Sequence, residues 1–252
     1  MFKLNRFYEF LKMHRRGIDL GVIVLLAVYV CRKLLFTQGF PTGMDILGQV
    51  VFLDFFSHHN WWLYTWNPLY SFGEITVFRD ETNPFYIPLS VIPDAALAIR
   101  IYIFILLLLA GVSMYLFTFH CTKRNNTSLL ASLLFMTSQW FFSQIFDGHV
   151  SLVAGYALAP ALFLAFDKAL EKTDLRNIML ASVVFSTFIL ISHPHSNYIF
   201  GAFLFLFAFL FVLFPKKQGK LKALQSLLKV FTLLAIITLL LLMYQILPLA
   251  LN

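Results

Sequence analysis

The 252 residues carry a formal charge of +7, yet only 12% are charged and 60% are hydrophobic, with thirty Phe. So few charges, against about 25% in soluble domains, exclude a soluble globular protein. Several apolar runs reach the length of about 20 residues that a bilayer core demands. The basic excess then reads as membrane topology and not as a nucleic-acid footprint, and two distant cysteines, Cys31 and Cys121, give neither a disulfide framework nor a thiolate metal cluster.

In chain order, residues 1–17 interleave Lys3, Arg6, Lys12, Arg15 and Arg16 with Phe, Leu and Tyr, the pattern of a basic amphipathic segment on an anionic membrane surface. Residues 18–252 form the transmembrane domain. Its first span covers about residues 18–36 and has no small-residue cleavage site after it, so it is retained in the membrane. Arg32 and Lys33 stand at its far end, where they either snorkel to the interface or meet an anionic headgroup or phosphate. Next comes a long polar loop, residues 38–96, which holds six of the twelve carboxylates, His58, His59 and an aromatic group that includes Trp61, Trp62 and Trp66. A loop of this length is functional or disordered, and its aromatic content argues for a folded cap.

Six further spans follow, at about residues 97–119, 128–146, 150–166 (containing Pro160), 178–192, 198–214 and 227–247. The expected fold is therefore all-α, a polytopic transmembrane helical bundle of about seven spans with one large outer loop between the first two. With the N-terminus in the cytoplasm, fifteen of the nineteen Lys and Arg fall on the inner side, leaving Arg32, Lys33, Arg79 and Arg100 outside with seven carboxylates. Every inner connection then obeys the positive-inside rule. The protein is expected in the cell membrane, in contact with lipid and with no nucleic-acid partner. The Asn125 and Asn126 sequons fall on the inner side and should carry no glycan.

Three outer connections deliver titratable groups to one face: the 38–96 loop, Asp147-Gly148-His149, and His193-Pro194-His195. Ionisable groups at the membrane edge usually mark a site, so one outward-facing polar cavity is expected. Asp45 follows a Pro-Thr-Gly turn and is either a helix N-cap or a functional carboxylate. Asp54 is nine residues on and would point elsewhere on a regular helix, as a second cavity group or a solvated interfacial one. Asp147, His149, His193 and His195 either line the cavity or are membrane-edge turns facing water. Carboxylate and imidazole together suit a divalent metal, so such a cofactor stays open and no metal site is assigned. Glycine-rich phosphate loops, nucleophile elbows, zinc spacings, internal repeats and soluble domains are not evident.

Pro41-Thr42-Gly43-Met44-Asp45 after the first span, Trp66-Asn67-Pro68, Asn83-Pro84-Phe85-Tyr86-Ile87-Pro88-Leu89, Asp147-Gly148-His149 and the final Leu247-Pro248-Leu249-Ala250-Leu251-Asn252 carry a resemblance. In these motifs the chain resembles the 6-pyruvoyl-tetrahydropterin synthase-related multi-spanning membrane proteins, which look like relatives of the GT-C glycosyltransferases. The resemblance implies transfer of a sugar from a polyprenyl-phosphate carrier to an acceptor on the outer face. It also implies an acidic residue after the first span, acting as catalytic base or in acceptor binding, a position that Asp45 matches. On that reading Arg32, Lys33 or Arg79 would stabilise the departing phosphate, and Asp54, Asp147, His149, His193 and His195 would line the cavity. Such enzymes have more than seven spans, so the chain corresponds to a truncated frame or a minimal module. The alternatives are a lipid or polysaccharide transporter and a non-catalytic membrane subunit.

Overall fold

A computed structural model describes residues 14–36, 50, 66–67, 74–75, 86–214 and 219–250. Asp45, Asp54, His58, His59 and Arg79, with the basic segment before residue 14, lie outside the described residues. The described chain is an α-helical bundle. Its helices are α1 (Arg15–Phe36), the short α2 (Tyr86–Leu89), α3 (Ala95–Thr122), α4 (Asn125–Met136), α5 (Gln139–Asp147), α6 (Val150–Glu171), α7 (Leu175–Ile191), α8 (Pro194–Leu213) and α9 (Lys220–Ala250). A two-residue antiparallel ladder, β1 (Trp66–Asn67) with β2 (Glu74–Ile75), pairs Trp66 with Ile75 and Asn67 with Glu74.

Among the described residues, five helical segments are long and apolar enough to cross a membrane: α3, α4 with α5, α6, α8 and α9. The apolar α7 is shorter, at 17 residues. The 22-residue α1 would span about 33 Å at 1.5 Å per residue but carries Asp19, Arg32 and Lys33. The seven apolar segments read from the sequence coincide with these elements, whose ends are set by local chemistry. Asp94 caps α3 by accepting from the Leu97 N–H (3.0 Å), Asp174 caps α7 through Asn177, and His193 caps α8 with Pro194 at its first turn. Lys123 closes α3 in the left-handed region at φ 57°.

The third span, expected at about residues 128–146, is broken into two helices. Helix α4 ends at Thr137 and α5 restarts from Ser138, whose Oγ accepts from the Phe141 N–H. The Tyr156 hydroxyl of α6 reaches into the break, 3.1 Å from Ser138 Oγ and 3.5 Å from Phe135 O. Its ring stacks on Phe135 at 4.1 Å and meets Trp140 and Phe141. Interruptions are tolerated within a membrane only where the freed backbone groups are satisfied; here Thr137 Oγ1 donates to Leu133 O at 2.8 Å and Ser138 Oγ accepts from Phe141 N–H, with Tyr156 packed over the break.

Helices α3 and α6 form the centre of the bundle, with α1 and α4 packed on α3 and α7 packed on α6. Small residues and hydroxyls draw them together, as expected where helices meet without a hydrophobic driving force. Ser132 Oγ donates to Gly111 O at 2.7 Å and Ser113 Oγ to Ala157 O at 2.8 Å. Side chains such as Phe203, Phe205, Phe209, Leu239 and Leu240 on α8 and α9 stay exposed, as suits surfaces facing hydrocarbon. Ser113 meets Ala157 and, further along both helices, His120 meets Asp167, so α3 and α6 run parallel. The bundle thus has two distinct ends: one with the starts of α3, α6 and α8, and a basic end with the starts of α1, α4, α7 and α9.

At the basic end Asp19 is buried, not solvated as its place beside a basic segment suggests. Arg15 Nε pairs with its Oδ1 at 3.1 Å, and the Tyr115 hydroxyl donates to its Oδ2 at 3.0 Å. The two sequon asparagines join the same network. Asn126 Oδ1 accepts from Arg15 at 2.6 Å, and Asn125 Oδ1 lies 3.5 Å from the Tyr115 hydroxyl. The network ties α1, α3 and α4 together, with Asp19 and Tyr115 buried and Arg15 and Asn126 at its water-facing edge. Tyr115→Phe leaves Asp19 one partner short inside the bundle, and a buried acceptor left unsatisfied costs about 1–3 kcal/mol. Thermal unfolding of the detergent-solubilised variant should show that loss, and equal stability would mean that Arg15 alone satisfies the carboxylate.

Candidate functional site

Two turns predicted from sequence to face one cavity meet at the same end of the bundle. The first is the α5–α6 turn. Gly148 adopts φ 90°, a left-handed conformation suited to glycine, and ends α5 immediately after the exposed Asp147. His149 then opens α6, its Nδ1 3.0 Å from Gln144 Oε1. The second turn joins α7 to α8, where the His193 backbone N–H donates to Ser151 O at 3.3 Å, two residues beyond His149. The approach is close because Gly155, one turn further along α6, has no side chain. A Cβ there would lie 2.8 Å from Ser196 Cβ and 2.9 Å from Ser192 Cβ.

His193 and His195 form a coupled pair within the second turn. Their rings stack at 4.9 Å between centroids, and their Nδ1 atoms are 3.1 Å apart. The His195 backbone N–H donates to His193 Nδ1 at 3.2 Å. His193 Nδ1 is therefore an acceptor, and the shared proton belongs on His195 Nδ1. That arrangement leaves the Nε2 of His193 as its protonated nitrogen when neutral.

The start of α3 lies at this end too, and it contains Arg100, one of the four cations expected on the outer side. Arg100 is buried; its Nε donates to Ala96 O at 3.1 Å and its Nη2 is 3.5 Å from Asp94 Oδ2. Arg32 and Lys33 sit on the last turns of α1. Arg32 folds back on its own helix, donating to Tyr29 O at 2.7 Å with its guanidinium 4.0 Å from the Tyr29 ring centre. That is how a snorkelling arginine covers apolar surface while its charge stays at the edge. The catalytic candidate Asp45, with Asp54 and Arg79, falls outside the described residues.

Among the described residues, Asp147, His149, His193 and His195 do not form a three-ligand metal cluster. The His, Asp and Glu side chains that do converge are His120 of α3 with Asp167 and Glu171 of α6, at the basic end. His120 Nε2 is 2.8 Å from Asp167 Oδ2 and 3.8 Å from Glu171 Oε2. These three line a cavity of about 800 Å³ together with Lys168, Lys172, Asn177 and a wall of Phe207, Phe211 and Phe214. Sequence reading missed them because the cluster joins residues 47 positions apart. Asp167 and Glu171 at i,i+4 do share a helix face, and that spacing was the available signal.

A protein-family model described as the 6-pyruvoyl-tetrahydropterin synthase related domain, a membrane protein, matches residues 84–247. No curated protein and no solved structure matches the chain. The matched stretch contains Asp147, His149, His193, His195, Arg100 and the His120 cluster, and begins after Asp45.

Proposed function

Because the chain belongs to the 6-pyruvoyl-tetrahydropterin synthase-related family of membrane proteins, we propose that it is an integral-membrane glycosyltransferase of GT-C type. It transfers a sugar from a polyprenyl-phosphate carrier to an acceptor at the outer membrane face. The observation that carries this reading is the hydrogen bond from His193 N–H to Ser151 O, which joins the two histidine turns at the end of the bundle from which α3 also starts. A polar site built at a membrane edge from three connections has the form a lipid-linked donor needs: its phosphate and sugar lie at the interface while its prenyl chain stays in hydrocarbon.

In this reading Asp45 is the general base that takes the proton of the acceptor hydroxyl, a role that requires a carboxylate within hydrogen-bond reach. Negative charge grows on the carrier phosphate as the glycosidic bond breaks. Cations at that edge stabilise it; Arg32, Lys33 and Arg79 are the candidates, and buried Arg100 joins them. Asp54, Asp147, His149, His193 and His195 line the acceptor side. Membranes containing the full-length protein, incubated with labelled polyprenyl-phosphate sugars, should move the label to a polar acceptor. Label that stays on its lipid overturns the proposal.

The site faces outward only if the basic end is cytoplasmic, the orientation that fifteen of nineteen basic residues favour. A cysteine placed at Ser71 should then react with an impermeant maleimide in intact cells, whereas one placed at Gln218 should not. The reverse pattern would put the proposed site in the cytoplasm.

The break between α4 and α5 favours a second reading, a lipid or polysaccharide carrier, since discontinuous spans build the substrate sites of many transporters. The two differ in bond chemistry. An enzyme changes the covalent partner of the sugar, whereas a carrier moves the intact lipid-linked sugar to the opposite leaflet.

A further inference from the structure

The cavity at the basic end is separate from the proposed transfer site: His149 and Asp167 bound opposite ends of α6, about 27 Å apart at 1.5 Å per residue. We infer that His120, Asp167 and Glu171 form a binding site for a divalent transition-metal cation, Mn²⁺ or Zn²⁺ in class, on the wall of this cavity. Three observations converge. One ligand atom from each residue lies within 4.8 Å of the others. A cation held at about 2.0–2.2 Å by nitrogen and oxygen ligands sets neighbouring donors about 3.0–3.5 Å apart; from His120 Nε2 the carboxylates stand at 2.8 and 3.8 Å, and all three donors lie within 4.8 Å. Small side-chain rotations therefore suffice, with no movement of helices.

The donor set is one imidazole with two carboxylates, which suits Mn²⁺, Fe²⁺ and Zn²⁺ better than soft thiophilic ions. The scaffold is rigid. Asp167 and Glu171 are one helical turn apart on α6, and α3 presents His120 from the parallel neighbour packed against it. The third observation is the cavity itself. Three protein ligands leave coordination positions open, as in metal sites that bind substrate or water, and all three residues line the same 800 Å³ space. A His120–Asp167 hydrogen bond accounts for the 2.8 Å contact, and Glu171, one helical turn from Asp167, brings the third donor to 3.8 Å from the same nitrogen.

The full-length protein in lipid nanodiscs, stripped with chelator and titrated with Mn²⁺ alone, tests this by electron paramagnetic resonance. The expected result is saturable binding of one Mn²⁺ per chain, with a nitrogen hyperfine coupling from the imidazole. Even outer-shell substitutions lower metal affinity by about 10–100-fold, so His120→Gln and Glu171→Gln should each weaken binding by at least about tenfold, and His120→Gln should abolish the nitrogen coupling. Glu171→Gln carries the decision if His120→Gln fails to fold, because Glu171 is half exposed and its replacement leaves the bundle packing intact. Absence of saturable binding, or unchanged affinity in Glu171→Gln, overturns the inference. No sugar-transfer readout enters, so the result stands apart from the proposed activity.

Discussion

Replacing Asp45 by Asn should lower sugar transfer by about 10²–10⁴-fold, the range expected when a positioned general base is lost, and should leave the melting temperature of the solubilised protein unchanged. The substitution keeps side-chain size and one acceptor oxygen, so any helix-capping role is preserved, since Asn caps about as well as Asp. It removes only the ability to take a proton. Asp54→Asn serves as the comparison: a carboxylate that lines the site without abstracting the proton should lose far less. Both variants are assayed with labelled polyprenyl-phosphate sugar in the full-length protein, with thermal unfolding measured in parallel. An Asp45→Asn protein that transfers sugar at the parental rate removes Asp45 from the chemistry. One that loses activity only by unfolding assigns it to the fold.

The bundle was legible in the sequence because bilayer-length apolar runs need no long-range information. Residues 97–119 or 198–214 read as spans from composition alone, and Asp94, Asp174 and Pro194 mark helix starts that local rules predict. The break at Thr137 and Ser138 was not legible. Thr137, Ser138 and Gln139 interrupt the apolar residues there, but polar residues also occur in continuous spans, and the partner at the break, Tyr156, comes from another helix. The burial of Asp19 was not legible for a related reason. Its neighbours Arg15, Arg16 and Gly17 suggest a solvated membrane edge, whereas its partner Tyr115 is 96 residues away.

The candidate site divides along the same line. Placing His149 and His193 at one end followed from counting spans, because alternate connections return to the same face. That His193 hydrogen-bonds to Ser151, or that Arg100 is buried beside Asp94, depends on helix rotation, which uniformly apolar helices do not encode. On an amphipathic helix the polar stripe fixes which face turns inward. On α3 and α8, apolar on nearly every side, that choice is made by small residues and hydroxyls spaced along the neighbours.

Gly155 is a residue where that choice has a measurable consequence. Alanine at 155 places a Cβ 2.8–2.9 Å from the Cβ atoms of Ser192 and Ser196, closer than such atoms approach in folded proteins. Neither serine Cβ can swing away, since each is fixed by its own backbone at the α7–α8 junction. The helices must therefore separate. Overpacking of this kind costs about 1–3 kcal/mol, partly offset by the about 0.5–1 kcal/mol that alanine gains over glycine within a helix. Separation would also stretch the His193 N–H to Ser151 O bond that joins the two histidine turns, so transfer activity should fall beyond what lost stability explains. Gly201→Ala on α8 is the matched control, because a Cβ there meets nothing within 4 Å, and it should melt at or slightly above the parental temperature. Equal melting temperatures for the Gly155→Ala and Gly201→Ala proteins would mean that α6 and the α7–α8 turn do not pack through Gly155. A destabilised Gly155→Ala protein that keeps full transfer activity below its melting temperature would separate the histidine turns from the site.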